Sequence, residues 1–453
     1  MLYSLSGLLA SAGSFEPHPA FVTFFVVLLL SIAVLPLTFE HWWEHNKNKG
    51  IIAGALSLPV LVYYLINNPY AVEHTILEYF SFIVLLWALY TISGGIVLQG
   101  KLKGTPGVNT LILVIGSVIA NFFGTTGAAM LLIRPLLKSN EHRKNKKHTF
   151  IFFIFSVANI GGCLTPLGDP PLFLGFLRGV PFTWTLQLFP EWILMLSVLL
   201  TAYYIWDKRA YAKEEPEVQK MAGESTSLRV SGLINFVFIA GVLASTLLSA
   251  KLKSVTEATG FGWMEGSPWR EFIMIAMGLL SMKFTAKALR EENRFNFDAI
   301  IEVAVLFIGI FITMMPALAL LEIHGAELGL TEPWQYFWAT GTLSSFLDNA
   351  PTYLVFATAA MAQSGAASMA EMSAQGVGIE LLKAVSLGAV FMGANTYIGN
   401  APNFMVKAIC EGAQERKVKM PSFFGYMAYS VAILVPMFIL ITIIFFLLAA
   451  PAA

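Results

Sequence analysis

Two aspartates interrupt apolar segments at positions where a charge has no ordinary structural use. Asp169 lies in NIGGCLTPLGDPPLFLGF (159–176), together with three prolines, and Asp348 lies in FLDNAPT (346–352). A carboxylate inside a membrane segment is costly and marks a functional site by default. Partly dehydrated carboxylates can hold either Na⁺ or H⁺, and competition between these ions is the simplest chemistry for ion exchange. We therefore predict that both aspartates are proton-coupling residues.

The breaks also bring oxygen-rich side chains and free backbone groups into the same segments. Carbonyls released at a helix break suit a hard cation, and glycine and proline make such breaks easy to form. We predict Na⁺ at Asp169, Asp348 and Asn395, with no transition metal and no other cofactor. The candidate cation- and substrate-binding residues are Asn121, Thr125, Thr126, Asn159, Thr165, Gly168, Asp169, Asp348, Asn349, Thr352, Asn395, Thr396 and Asn400.

Simpler roles are open for several of these side chains. Asp169 precedes two prolines and could only cap the half-helix that follows. Asn349 and Asn395 could only join packed helices by hydrogen bonds. Glu302, in AIIEVAVLF, is another possible titrating group, but it lies near a predicted helix end and is expected to be solvated.

Histidine and cysteine offer no strong alternative site. His41 and His45 have helical spacing in EHWWEH, but the two tryptophans beside them are typical of a membrane interface rather than a metal site. Cys163 and Cys410 lie in apolar segments without metal-ligand spacing, so we expect two buried thiols.

The composition predicts an all-α polytopic membrane protein. The 453 residues are 57% hydrophobic and 12% charged, and the mean hydropathy is +0.69. A soluble domain has roughly 25% charged residues, and several apolar runs here approach the ~20 residues that span a bilayer. The formal net charge of zero gives no basic surface for a nucleic-acid partner.

Hydropathy divides the chain into about ten spans and two further apolar segments. The segments 108–137 and 334–362 are interrupted by NFFGTTG and FLDNAPT, and each is too short for two crossings. We predict that both are re-entrant hairpins, which are tolerated at membrane depth only around a wet cavity. The predicted spans are 20–39, 51–66, 75–99, 149–178, 187–206, 229–249, 269–287, 298–322, 380–410 and 422–449.

Loop charges support this topology. With both hairpins re-entrant, 18 Lys and Arg residues share one face, against Lys251 and Lys253 on the other. Because basic loops stay cytoplasmic, we predict a multi-pass inner (cell) membrane protein with both termini outside the cytoplasm. The predicted cytoplasmic loops are 40–50, 100–107, 138–148, 207–228, 288–297 and 411–420.

The two halves of the chain have the same design. A polar linker, 207–228, separates a first repeat, 1–206, from a second, 229–453, and each half has three spans, a hairpin, a broken span and a final span. The broken spans are 149–178 and 380–410, and LGDPPLF (167–173) matches IGNAPNF (398–404) at an offset of 231 residues. The span count places the second repeat in inverted orientation, an arrangement typical of secondary transporters.

The motifs ANIGGCLTPLGDPPLF and FLDNAPT resemble the ion transporter superfamily, which includes arsenite pumps, sodium/proton antiporters and citrate or dicarboxylate carriers. The resemblance runs from about residue 20 to 449 and is strongest to the antiporter and citrate-transporter-like branches. It implies a homodimer whose transport core moves like an elevator against a scaffold. The first hairpin departs from the pattern, because FGTTG (123–127) has neither the Ser-Asn-Thr nor the Asp-Asn of relatives.

Na⁺/H⁺ antiport is the favoured function at this stage. Two acidic residues would repel citrate, and neither Lys nor Arg lies within the breaks. The alternative is Na⁺- or H⁺-coupled citrate or dicarboxylate transport. Arg178 and Lys407 lie nine and seven residues after the breaks, roughly 10–14 Å along a half-helix, where they could steer an anion while Na⁺ neutralises Asp169.

An enzyme of a different class, an intramembrane aspartyl protease, would also have two membrane aspartates and a segment like MPALAL (315–320). Such proteases resemble a Tyr-Asp and Gly-x-Gly-Asp pattern, whereas Leu347 precedes Asp348 and Pro166 stands three residues before Asp169. We therefore predict a transporter and not an enzyme. Its expected partners are the lipid bilayer, Na⁺, H⁺ and, in the alternative, small carboxylates.

Overall fold

The computed structural model describes residues 15–43, 45–259, 268–374, 376–412 and 418–448, and these residues are mostly helical. Both chain termini, whose side was predicted above, lie outside the described residues. The α-helices are Val22–Thr38, Glu40–Trp43, Asn46–Asn67, Pro69–Ser93, Pro106–Ser139, Lys147–Ser156, Pro170–Leu177, Phe189–Tyr211, Pro216–Ala222, Ile234–Thr259, Trp269–Phe284, Lys287–Glu292, Asp298–His324, Pro333–Ser344, Asn349–Ser364, Met369–Met372, Gly376–Met392, Ala401–Gly412 and Phe423–Ile441.

Shorter elements complete the chain. Two strands, Val97–Gln99 and Arg229–Ser231, pair antiparallel and so join the two halves of the sequence. The remaining turns are 3₁₀-helices at Pro19–Phe21, Ile160–Leu164, Phe182–Leu188, Gly325–Leu328 and Gly393–Asn395, with a π-helix at Thr442–Leu448.

Nine helical stretches of the described residues are long and apolar enough to cross a bilayer. They confirm the prediction of an all-α polytopic membrane protein. Two of the ten predicted spans are not among these nine stretches: Trp269–Phe284 has 16 residues, and Ile234–Ser249 is the apolar portion of a helix of 26 residues, Ile234–Thr259. The nine are Pro19–Pro36, Asn46–Asn67, Pro69–Ser93, Pro106–Ser139, Lys147–Leu164, Phe182–Tyr211, Asp298–Leu328, Gly376–Asn395 and Phe423–Leu448.

Segment 106–139, the first hairpin, folds back on itself at Gly124. This residue has φ 73° and ψ 155°, which interrupts the helix. A straight helix of 34 residues would be about 50 Å long, yet Asn109 and Asn140 at its two ends exchange two hydrogen bonds of 2.9 Å. The two limbs therefore lie side by side, and the tip is at Gly124.

The second hairpin is segment 333–364. Its limbs are Pro333–Ser344 and Asn349–Ser364, and the Tyr336 hydroxyl donates to the Ala359 carbonyl at 3.4 Å. A capping box of Glu332 and Gln335 begins the first limb.

Two helices are interrupted at their centres. The first broken span, 147–177, stops at Ser156, continues through Ile160–Leu164 and restarts at Pro170. The second broken span, 376–412, has the same order, with Gly393–Asn395 between its two halves. Proline at the first helical position, as at Pro170, restarts a helix readily because its fixed φ is already helical.

We expect Gly124→Ala to destabilise the protein by about 1–3 kcal/mol, because φ 73° with ψ 155° is a conformation that side-chain-bearing residues adopt only with strain. The strain is in the backbone, since a Cβ there would meet its nearest atom, the Leu167 carbonyl oxygen, at 3.4 Å. Gly107→Ala in the same segment is the matched control, because a Cβ there meets nothing within 4 Å. Thermal unfolding in detergent checks both, and equal melting temperatures would contradict the assignment of strain to Gly124.

A buried ion-pair network holds the base of the first hairpin. Asp207, fully buried, accepts hydrogen bonds from Arg143 at 2.5 and 3.1 Å and from His148 at 2.8 Å. Asn109 and Tyr203 donate to the same carboxylate at 3.1 and 3.2 Å. The hairpin, the first broken span and the helix after it are thereby joined at one carboxylate, which the sequence analysis did not single out.

Candidate functional site

Four interrupted elements meet at the Asp169 carboxylate. Asp169 is 1% exposed, and its Oδ1 accepts hydrogen bonds from Thr125 Oγ1 at 3.0 Å and from Asn400 Nδ2 at 3.1 Å. Its Oδ2 accepts from Asn349 Nδ2 at 2.6 Å. One donor therefore comes from each hairpin and one from the second broken span, and all three donors are neutral.

Asp169 and Asp348 both occupy helix N-cap positions, but only one of them caps. Asp348 accepts a hydrogen bond from the backbone N–H of Ala350 at 3.1 Å. The Asp169 side chain makes no such cap to the helix Pro170–Leu177 and points instead to the three donors above. The simpler role considered for Asp169 therefore fails, whereas for Asp348 capping is what the structure shows.

A chain of asparagines extends from Asp169 into both broken spans. Asn400 Nδ2 also approaches Asn159 Oδ1 at 3.1 Å, and Asn159 Nδ2 donates to Asn403 Oδ1 at 2.6 Å. Asn403 Nδ2 donates to the carbonyls of Gly393 and Thr396, each at 2.8 Å. Asn403 was missed by the sequence analysis, although a polar residue within the half-helix segment IGNAPNF was a usable signal.

Two buried acceptor oxygens at these breaks have no hydrogen-bond donor within the described part of the chain. They are Asn349 Oδ1 and Asn395 Oδ1. A buried carbonyl left without a donor costs about 1–3 kcal/mol. Asn349 is fully buried, and its amide nitrogen donates to Asp169. The amide oxygen without a donor therefore belongs to a side chain that already contacts the carboxylate. Carboxylate and amide oxygens are the ligand types that hard cations prefer.

Four other predicted site residues tie the hairpin tips to the broken spans. Thr165 Oγ1 donates to the Asn121 carbonyl, and Asn121 Oδ1 accepts from the Leu164 N–H at 2.7 Å. In the other half, the matched Thr396 Oγ1 donates to the Ser345 carbonyl at 2.5 Å. Asn395 Nδ2 donates to Ser345 Oγ at 2.9 Å. These contacts position the breaks and do not touch Asp169.

Close backbone contacts explain the glycine at 168. The Gly168 carbonyl accepts the Thr125 N–H at 2.9 Å, and a Cβ at Gly168 would collide with the Gly162 carbonyl oxygen. Gly399 stands in the same relation to Gly393 in the second half.

A cavity of about 1400 Å³ leads to the site. Asp169, Asp348, Thr125 and Thr126 line it, whereas Thr352 only donates to the Asp348 carbonyl at 3.0 Å. Its other lining residues include Lys47, Asn296 and Gly412, which belong to three of the loops predicted to be cytoplasmic. The cavity thus connects the carboxylates with that face.

Three charges whose role the sequence left open have partners. Glu302 pairs with Lys49 at 2.7 Å. Arg178 donates to both carboxylate oxygens of Glu78, at 2.7 and 3.1 Å, and Lys407 lies 3.7 Å from Glu411. Both cations proposed to steer an anion are therefore paired with an acidic side chain.

Of the histidines and cysteines considered in the sequence, His45 lines the cavity, whereas His41, Cys163 and Cys410 do not. His41 and His45 are exposed at the ends of neighbouring helices. Cys163 and Cys410 are buried, unbridged thiols. Within the described ranges, no group of three or more His, Cys, Asp or Glu side chains is arranged to hold a metal ion.

Comparison with known protein families identifies the chain at the level of its family. The family described as "Putative citrate transport" matches residues 17–446, which include all four interrupted elements and the Asp169 site. The chain belongs to this family. With its nine apolar stretches among the described residues, the protein is thus a multi-pass membrane transporter of the secondary type. This confirms the resemblance to ion transporters but not to the antiporter branch. No curated protein matches the chain.

Proposed function

We propose that this transporter exchanges Na⁺ for H⁺ at Asp169. The observation that carries the proposal is a buried carboxylate held by three neutral donors, beside an uncommitted amide oxygen of Asn349. Because no Lys or Arg of the described chain is bonded to Asp169, a bound cation or a proton is needed to balance its charge. Na⁺ binding would release the proton, and protonation would release Na⁺.

The arrangement of the four interrupted elements supports alternating access. We propose that both hairpins are re-entrant, that the two halves are inverted repeats, and that the core moves against a scaffold within a homodimer. The repeated contacts of Thr165 with Asn121 and of Thr396 with Ser345 support the repeat. The cavity, with its rim in predicted cytoplasmic loops, is consistent with a state open to the cytoplasm.

Asp348 is proposed as the second proton-coupling carboxylate. Because its side chain also caps a helix, the test must separate the loss of the cap from the loss of the charge. Serine caps a helix about as well as aspartate but carries no charge. We expect Asp348→Ser to keep the melting temperature within a few degrees while lowering Na⁺/H⁺ exchange at least fivefold. Full exchange in the serine variant, together with destabilisation of Asp348→Ala, would show that Asp348 acts only as a helix cap.

A second candidate function is Na⁺- or H⁺-coupled uptake of citrate or a dicarboxylate. The family description favours it, and the match covers nearly the whole chain. In that case, binding of a cation at Asp169 is coupled to uptake of the anion, and the cation is not exchanged for a proton.

Proteoliposomes that contain a pH-sensitive dye separate the two candidates. A Na⁺ gradient is imposed with no carboxylate present, and then with citrate or succinate. A Na⁺-driven pH change without carboxylate is the result expected for exchange. Absence of this change, together with Na⁺-dependent uptake of radiolabelled citrate, would replace exchange by the second candidate.

A further inference from the structure

One guanidinium in the cavity wall is not bonded to any of the described residues. Arg134 lines the cavity, its Nη1 is buried, and it makes no hydrogen bond or ion pair with the described residues. Other arginines in this part of the protein are bonded. Arg143 pairs with Asp207, Arg178 with Glu78, Arg270 with Glu271, and Arg290 with the Thr91 carbonyl and Ser281.

Arg134 is placed to face the route to Asp169. It lies on the returning limb of the first hairpin, nine residues beyond Thr125, a rise of roughly 13 Å. Long side chains on a helix point back towards its N-terminal end, which on this limb is the hairpin tip that contacts Asp169. Arg134 and Asp169 therefore line the same cavity, with Arg134 on the limb that leads away from the tip.

Among the described residues, no acidic side chain that lines the same cavity is bonded to Arg134. Glu302 pairs with Lys49, and Glu292 accepts from Gln99 at 2.8 Å. Asp298 is exposed at the rim, where Arg294 adds another positive charge. An uncompensated guanidinium in a cation pathway would repel Na⁺, so Na⁺/H⁺ exchange gives it no role.

We infer that Arg134 is the recognition residue for a small carboxylate anion that enters the cavity from this face. A guanidinium binds a carboxylate through two parallel hydrogen bonds, and such an anion would supply the missing counter-charge. A second carboxylate of the same molecule would face a cation held at Asp169. The inference deepens the second candidate function and rests on it.

Isothermal titration calorimetry on the full-length protein in detergent, with Na⁺ present, tests the site. We expect citrate or succinate to bind the wild type, Arg134→Gln to weaken binding at least tenfold, and Arg134→Lys to weaken it less. Arg209→Gln is the matched control, because Arg209 is exposed and does not line the cavity. Its affinity should equal that of the wild type.

Two outcomes would overturn the inference: no carboxylate binding to the wild type, or unchanged affinity in Arg134→Gln. Na⁺-driven pH change without carboxylate is measured in parallel, so that failure of the anion site is distinguished from failure of exchange at Asp169. Should Arg134→Gln not fold, modification of wild-type Arg134 by phenylglyoxal gives a second readout by mass spectrometry. Citrate is expected to protect Arg134, and equal modification with and without citrate would also overturn the inference.

Discussion

Asp169→Asn is expected to reduce Na⁺-driven pH change in proteoliposomes at least tenfold. The substitution removes the carboxylate on which three neutral donors converge. An amide at 169 can neither take up and release the proton nor carry the charge that holds Na⁺. Its own NH₂ group would also face the amides of Asn349 and Asn400, which now donate to it. The initial rate of the dye signal after a Na⁺ pulse measures the loss.

Glu217→Gln is the control for this variant, since it removes one carboxylate charge from an exposed position in the linker. It should exchange Na⁺ at the wild-type rate. An Asp169→Asn protein with the wild-type melting temperature and no exchange would support the site. Undiminished exchange by a well-folded Asp169→Asn protein would remove Asp169 from the mechanism.

Asp207→Ala is expected to destabilise the protein by about 3–5 kcal/mol, the usual effect of removing one partner of a buried ion pair. Arg143, whose guanidinium is fully buried, would lose both of its bonds to the carboxylate. His148, Asn109 and Tyr203 would each lose an acceptor as well. Denaturant-induced unfolding in detergent, followed by tryptophan fluorescence, gives the change in unfolding free energy.

The double variant Arg143→Met/Asp207→Leu distinguishes charge burial from simple loss of packing. Apolar side chains can replace a buried pair at little cost, so the double variant should be more stable than Asp207→Ala. If it is less stable, the network stabilises the fold through its geometry rather than through charge compensation.

The membrane segments could be predicted from the sequence because a bilayer imposes simple rules on length and polarity. The breaks were predictable for the same reason, since a segment such as LGDPPLF has no place in a regular apolar helix. The choice of Asp169 and Asp348 as site residues also followed from the cost of a buried charge. The meeting of Asp169 with Thr125, Asn349 and Asn400, as much as 231 residues away, is what the structure adds.

What could not be predicted is which charges are compensated, because that depends on contacts between distant segments. Arg178 is one hundred residues from its partner Glu78, so the sequence alone does not show that its charge is compensated. Arg134, in LLIRPLLK, is not among the residues predicted from the sequence to form the site. Only its position in the cavity wall, without a partner in the described chain, gives it significance.

The paired threonine contacts restrict the internal freedom of the site. Thr165 joins the first hairpin tip to the first broken span by a hydrogen bond, and Thr396 does the same in the second half. The hydrogen bonds of Asp169 and of the asparagines then connect the two halves. Neither tip can swing aside like a flap without breaking buried hydrogen bonds. The two hairpin tips and the two broken spans are therefore expected to move together as a single rigid body. If the core moves against a scaffold as proposed, a Na⁺ ion held at Asp169 would keep its ligands during the movement, and the energy barrier would arise at the contact between core and scaffold.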